Sequence, residues 1–164
     1  MQFDDNVSGF NAGHSSFNFL TARRDVTVHS FDVGRHRYVP PIASFLQRKF
    51  PGRLNVELGD SRLTLPRYFD RPASPSIPAV TCDLMLVDGG HDLDVALSDI
   101  RNFARVASRP RNVIIVDDVN SRKVRTAWKV ALRSGIVQQI FTCTFGNNGR
   151  AFALGVVGRH VYNV

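Results

Sequence analysis

With 164 residues, the chain has room for one domain with a sizeable core. Its hydrophobic share of 43% and charged share of 21% are ordinary for a globular protein, and no apolar run approaches the ~20 residues of a membrane-spanning helix. The net charge of +7 favours anionic partners. The basic residues are scattered, however, over Arg23-Arg24, Arg35-His36-Arg37, Arg48-Lys49 and Arg122-Lys123-Val124-Arg125. They lack the aromatic interleaving of a nucleic-acid module and read as solvated helix faces and ends. The N-terminus has neither the basic start nor the apolar stretch of a signal peptide. Two cysteines, Cys82 and Cys143, lie in strand-like runs and are expected as buried thiols in a reducing, cytoplasmic setting.

Strand and helix patterns alternate along the chain. Residues 6–10 predict the close of a short first strand, and 15–23 a helix with Phe17 and Leu20 on its apolar side. Residues 26–31 alternate as a strand that stops at Asp32, and Pro40-Pro41 opens a helix through residue 50. Residues 54–58 form a third strand ending at Gly59-Asp60-Ser61, followed by a short helix over 63–69. The proline- and serine-bearing stretch 70–79 is a surface loop or short insertion. A fourth strand covers 84–87. An amphipathic helix follows over 92–107, with Leu93, Ala96, Leu97, Ile100, Phe103 and Ala104 at three- and four-residue spacing. Residues 113–116 are the fifth strand and 124–133 a helix with Trp128 in the core. Residues 137–145 and 150–157 are two strands around Gly146-Asn147-Asn148-Gly149, a hairpin signal. Repeated strand–helix units demand a mostly parallel sheet with right-handed crossovers. The fold class is therefore α/β, a doubly wound sheet closed by an antiparallel pair.

Acidic residues collect at the carboxyl ends of these strands, the edge where open α/β sheets bind ligands. Asp83 starts the fourth strand, but Asp88 follows its apolar run, and Asp117-Asp118 follow the fifth. At the other half of the sheet, the turn Gly9-Phe10-Asn11-Ala12-Gly13-His14-Ser15 lets the backbone approach a ligand and presents a helix start. It is not the G-x-G-x-x-G of dinucleotide enzymes. Asp32 falls 19 residues after Gly13, a spacing at which an acid accepts hydrogen bonds from ribose hydroxyls. Asp60 ends the third strand on the side expected for adenine. Glycine turn, Asp32 and Asp60 in that order predict an adenosine-type ligand.

The run 9–15, then Ser30-Phe31-Asp32-Val33-Gly34-Arg35-His36, Gly59-Asp60-Ser61, Val87-Asp88-Gly89-Gly90-His91 and Val116-Asp117-Asp118 resemble the class I S-adenosylmethionine-dependent methyltransferases. The chain is most similar to their small-molecule O-methyltransferase branch with an Asp-Gly-x-His signature, from about residue 7 to 157. The resemblance implies a Rossmann-like sheet of seven strands with an antiparallel C-terminal strand. It implies S-adenosylmethionine as cofactor, with Gly9, Asn11 and Gly13 along its methionine and ribose part. Asp32 would bind the ribose hydroxyls, Asp60 and Ser61 would lie by the adenine, and Asp88 would sit between cofactor and substrate. Two features depart from the family. The acidic residue usually found two places before the first glycine is Val7 here, with Asp4 and Asp5 out of register. The chain, a single methyltransferase domain over 1–164, also starts almost at the first strand, without the usual N-terminal cap helices. A fragment or shortened gene product, or weak cofactor binding, would account for these departures.

The implied reaction is methyl transfer to a hydroxyl of a small molecule. Asp88, Asp117 and Asp118 offer only oxygen ligands, which suit Mg²⁺ better than zinc, and resemble the metal ligands of catechol-type O-methyltransferases. Asn120 would add a neutral ligand. Helix capping by Asp117 or Asp118 is the alternative. His91 is the general-base candidate, because a histidine titrates near neutrality; His14 and His36 are weaker candidates. A non-catalytic cofactor-binding domain and a nucleic-acid methyltransferase remain as competing readings, the latter lacking the Asn/Asp-Pro-Pro-Tyr type of motif. The acceptor and the oligomeric state stay open, a homodimer included.

Overall fold

The structure, a computed structural model, describes residues 3–73, 80–146 and 149–158. Seven strands and five helices alternate in the order β1 (Phe3–Ser8), α1 (His14–Ala22), β2 (Val26–Asp32), α2 (Val39–Lys49), β3 (Leu54–Leu58), α3 (Ser61–Phe69), β4 (Leu84–Val87), α4 (Leu93–Val106), β5 (Val113–Val116), α5 (Arg122–Arg133), β6 (Val137–Phe145) and β7 (Arg150–Val157). They build one sheet in the order β3-β2-β1-β4-β5-β7-β6. The β1–β2, β1–β4, β2–β3 and β4–β5 pairs are parallel, whereas β7 runs antiparallel to β5 and β6. This is the expected doubly wound, Rossmann-like sheet with an antiparallel C-terminal strand.

Each face of the sheet carries its own core. Val7, Val26, Val28 and Leu86 point to the side where Leu20 of α1 and Val39, Ala43 and Leu46 of α2 cover them. Met85, Val87, Ile114, Val116 and Ala153 point the other way, under Ile100 and Phe103 of α4 and Ala127 and Trp128 of α5. The apolar runs of β4 and β5 therefore reflect burial on both faces, as their lack of alternation predicts. Along β6 the pattern differs. It is an edge strand without a charged residue, and Ile140, Phe141 and Phe145 are each about half exposed.

Several boundaries shift from the sequence reading, for local reasons. The first strand ends at Ser8 rather than Phe10, because the backbone turns at Gly9 (φ 94°) and again at Asn11 (φ 47°). Helix α3 begins at Ser61, two residues early, since the Asp60 carboxylate accepts from the Arg62 amide and caps it. Helix α5 likewise starts at Arg122. Cys82 is buried as expected, but Cys143 is only half-buried on the edge strand, and neither is in a disulfide. Part of the expected 70–79 loop, residues 74–79, and the hairpin residues Asn147 and Asn148 lie outside the described residues.

The ladders continue past the strand ends and pin the ligand edge. The Gly9 amide donates to the Phe31 carbonyl (2.8 Å), Asp88 to Ser8 (2.9 Å), Asp117 to Val87 (3.0 Å) and Gly59 to Asp32 (2.8 Å). At Gly9 the approach is so close that a Cβ would sit 2.0 Å from the Asp88 carbonyl oxygen. Gly9→Ala is therefore expected to destabilise the protein by on the order of 3 kcal/mol, from steric overlap and the positive φ together, read as a fall in the urea midpoint. An unchanged midpoint would show that the two strand ends separate freely.

Candidate active site

Strands β1 and β4 are neighbours whose following helices lie on opposite faces of the sheet. This is the topological switch point, where the chain parts and leaves a crevice. A cleft of about 360 Å³ opens there. Of the residues singled out from sequence, Gly9, Asn11, Asp32, Asp60, Ser61 and Asp88 all line it.

Gly13 does not line the cleft. It occupies the N-cap of α1 at φ 74°, where a Cβ would press within 2.6 Å of Leu46 and 2.9 Å of Phe10. Its requirement is helix packing. Asp32 is held by two amides: Oδ2 accepts from Asn11 N (2.8 Å) and Oδ1 from Gly34 N (2.7 Å). Asn11 in turn accepts from the Tyr38 hydroxyl (2.6 Å), and His36 stacks on Tyr38 at 5.0 Å with rings 4° from parallel. The glycine turn and the loop after β2 are thus knitted around one carboxylate, whose remaining lone pairs are available to a diol. Asp60 reaches the cleft, but its carboxylate caps α3 and pairs with Arg62 at 2.6 Å. That pairing holds its pKa below the usual range. Val7 is fully buried in the core beside α1 and α2, so no carboxylate of β1 reaches the cleft.

Beside the cleft stands the acidic cluster. Asp88, Asp117 and Asp118 each offer a carboxylate oxygen, all within 4.8 Å of one another. Burial, then the charges of Asp117 and Asp118, push the Asp88 pKa up to about 6, opposed by His91 and Arg150. Asp118 adopts φ 54°, a conformation that Asp tolerates better than most residues, and its amide donates to Asp117 Oδ1 (2.9 Å). His91 Nε2 lies 3.0 Å from Asp118 Oδ2, with the imidazole 58% exposed. The set suits a hard cation: oxygen donors only, mutual repulsion that such an ion would relieve, and partial solvent access. The Asn120 side-chain oxygen accepts from the Ala151 amide (3.3 Å). His14 merely opens α1, whereas His36 lines the cleft. Sequence reasoning missed the cleft residues Ser8, Gly89 and Gly90; the Gly-Gly pair after Asp88 was the available signal.

The family model described as a methyltransferase domain matches residues 7–119, well over half of the chain, and the chain belongs to that family. No curated protein matches it. Among solved structures it is similar to the O-methyltransferase TomG from Streptomyces achromogenes, involved in tomaymycin synthesis and crystallised with SAM. The TM-score is 0.74 at 19% identity, over 94% of this chain and 73% of that one. It is also similar to the O-methyltransferase from Bacillus cereus in complex with SAH, with a TM-score of 0.73 at 17% identity, over 94% and 73% of the two chains. The fold is shared with these enzymes, and the protein is a methyltransferase.

The raised Asp88 carboxyl has a measurable consequence. A carboxyl with a raised folded-state pKa favours folding when protonated, so that contribution is present below pH 3.8 and is lost as pH rises through about 6. Asp5 and Asp99, also raised to about 6, act in the same window, while His29, lowered to about 4, acts in the opposite sense. Asp88→Asn should therefore flatten part of the stability loss between pH 4 and 6 and raise stability at pH 8 in metal-free buffer. Denaturation curves superimposable on wild type at both pH values would contradict this.

Proposed function

We propose that the chain transfers a methyl group from S-adenosylmethionine to a hydroxyl of a small molecule, with Asp88, Asp117 and Asp118 holding a divalent cation such as Mg²⁺. The observation that carries this reading is the convergence of three carboxylates beside a switch-point cleft already furnished with Asp32. When bound, the cofactor supplies an electrophilic methyl group and the cation lowers the pKa of an acceptor hydroxyl. Asp32 would receive the ribose hydroxyls, and Gly9, Gly89 and Gly90 would let the ligand lie against backbone.

In this reading the reaction would be an in-line displacement, in which the acceptor oxygen would bond to the methyl carbon as the carbon–sulfur bond gave up its electron pair to sulfur, and the hydroxyl proton would pass to a base. Holding the two partners in line is worth ~7–11 kcal/mol of barrier, and a positioned base roughly 10²–10⁴-fold in rate. His91 is the base in this reading, with Asp118 orienting the ring. Some arginines are committed locally, such as Arg23 to Asp25, Arg53 to three backbone carbonyls and Arg125 to two.

The His91–Asp118 pair also supports a second reading, in which the imidazolium rather than a metal balances the acidic cluster. A chelator separates the two: excess chelator lowers turnover by roughly a hundredfold if the cation assists, and leaves it intact if His91 acts without one. The cofactor assignment is tested first by thermal shift. Saturating S-adenosylhomocysteine should raise Tm by roughly 5–10 °C, and Asp32→Ala should remove that rise. No shift at millimolar ligand would refute it.

A further inference from the structure

The amphipathic helix α4 carries an acid where its pattern calls for an apolar residue. Asp99 lies three residues after Ala96 and four before Phe103, on the stripe that faces the core. It is fully buried, and neither carboxylate oxygen closes a full hydrogen bond. A buried carboxylate so placed costs stability unless its surroundings compensate. Its neighbours show what the position is for. Burial pushes the Asp99 pKa up to about 6, and the hydroxyls of Ser61 and Ser8 oppose that rise. A Cβ built on Gly89 would lie 3.5 Å from Asp99 Oδ2 and 3.4 Å from Ser8 Oγ. The Ser8 hydroxyl is also buried and likewise closes no hydrogen bond.

Ser8, Ser61 and Gly89 come from three separate segments: the end of β1, the start of α3 and the turn after β4. All three line the cleft. From α4, the Asp99 carboxylate lies against Gly89 and is acted on by the Ser61 and Ser8 hydroxyls. The charges that act on it from α3 and its cap are Asp60 and Arg62, which already pair with each other.

We propose that Asp99 is a positioning residue for the cofactor pocket, a buried carboxylate that fixes Ser8, Ser61 and Gly89 relative to one another from below. It does not touch the reacting atoms. The inference rests on the cofactor reading above. It differs from a purely structural role because it ties cofactor affinity, rather than overall stability alone, to this carboxylate and to the Ser61 hydroxyl.

The test is a double-mutant cycle on S-adenosylhomocysteine affinity by calorimetry, with Asp99→Ala, Asp99→Asn and Ser61→Ala. Asp99→Ala should weaken binding by about tenfold or more. Asp99→Asn, which keeps one acceptor oxygen, should recover part of that loss. The double variant Asp99→Ala/Ser61→Ala should be no weaker than Asp99→Ala alone. Wild-type affinity in a folded Asp99→Ala protein, or losses that simply add, would overturn the proposal while leaving the cofactor reading standing. Absence of binding by the wild-type protein would sink both. Should Asp99→Ala not fold, amide exchange in Asp99→Asn decides: faster exchange at residues 59–61 and 89–90 than in wild type supports the proposal, and unchanged exchange there overturns it.

Discussion

The contact on which the molecule depends is the approach of Gly9 to the Asp88 carbonyl, between the ends of β1 and β4. No side chain fits between these two backbones. Because they touch, the two halves of the sheet present their ligand-binding turns side by side. The glycine turn, Asp32 and Asp60 gather on the β1–β2–β3 half and the acidic cluster on the β4–β5 half. If the strand ends separated, Asp32 and Asp88 would no longer face one cleft, however intact each half remained.

Polar atoms rather than apolar packing shape that edge. One carboxylate, Asp32, gathers two loop amides, and a second, Asp60, caps a helix and holds Arg62. A third, Asp99, is buried beneath three cleft residues. Around the cleft the acids thus divide the labour. Those at the centre, Asp88, Asp117 and Asp118, stay crowded and poorly compensated, which is the electrostatic state that a cation or a protonated imidazole relieves.

Much of this was legible in the sequence, for definite reasons. The runs 84–87 and 113–116 are too short for helices and too apolar for exposed strands, so the carboxylates after them had to lie at the sheet edge. The acid after β2 was equally readable from its distance to the glycine turn. Other residues were not. Gly13 and Gly9 look alike as letters, yet one packs a helix and the other lines the cleft, a distinction made by neighbours remote in sequence. The place of Asp60 at the cleft was readable, but its spacing could not show that it would also cap α3 and pair with Arg62. Asn120 sits beside two acids, but its partner is Ala151 on a distant strand. Asp99 interrupts an otherwise regular apolar stripe, a signal that periodicity counting averages away.

The edge strand β6 has a consequence of a different kind. Its nine residues carry no charge, its outer side is paired to no described strand, and Ile140, Phe141 and Phe145 project partly into water. Natural sheets commonly guard such an edge with lysine or proline. Here the counterweight is global: the chain's charge of +7 opposes the approach of copies. That protection weakens with ionic strength, because repulsion between surface charges fades over about 10 Å at 0.1 M salt. The colloidal behaviour of the protein is therefore set by a balance between one neutral strand and the charge of the whole surface, and salt is what tips it.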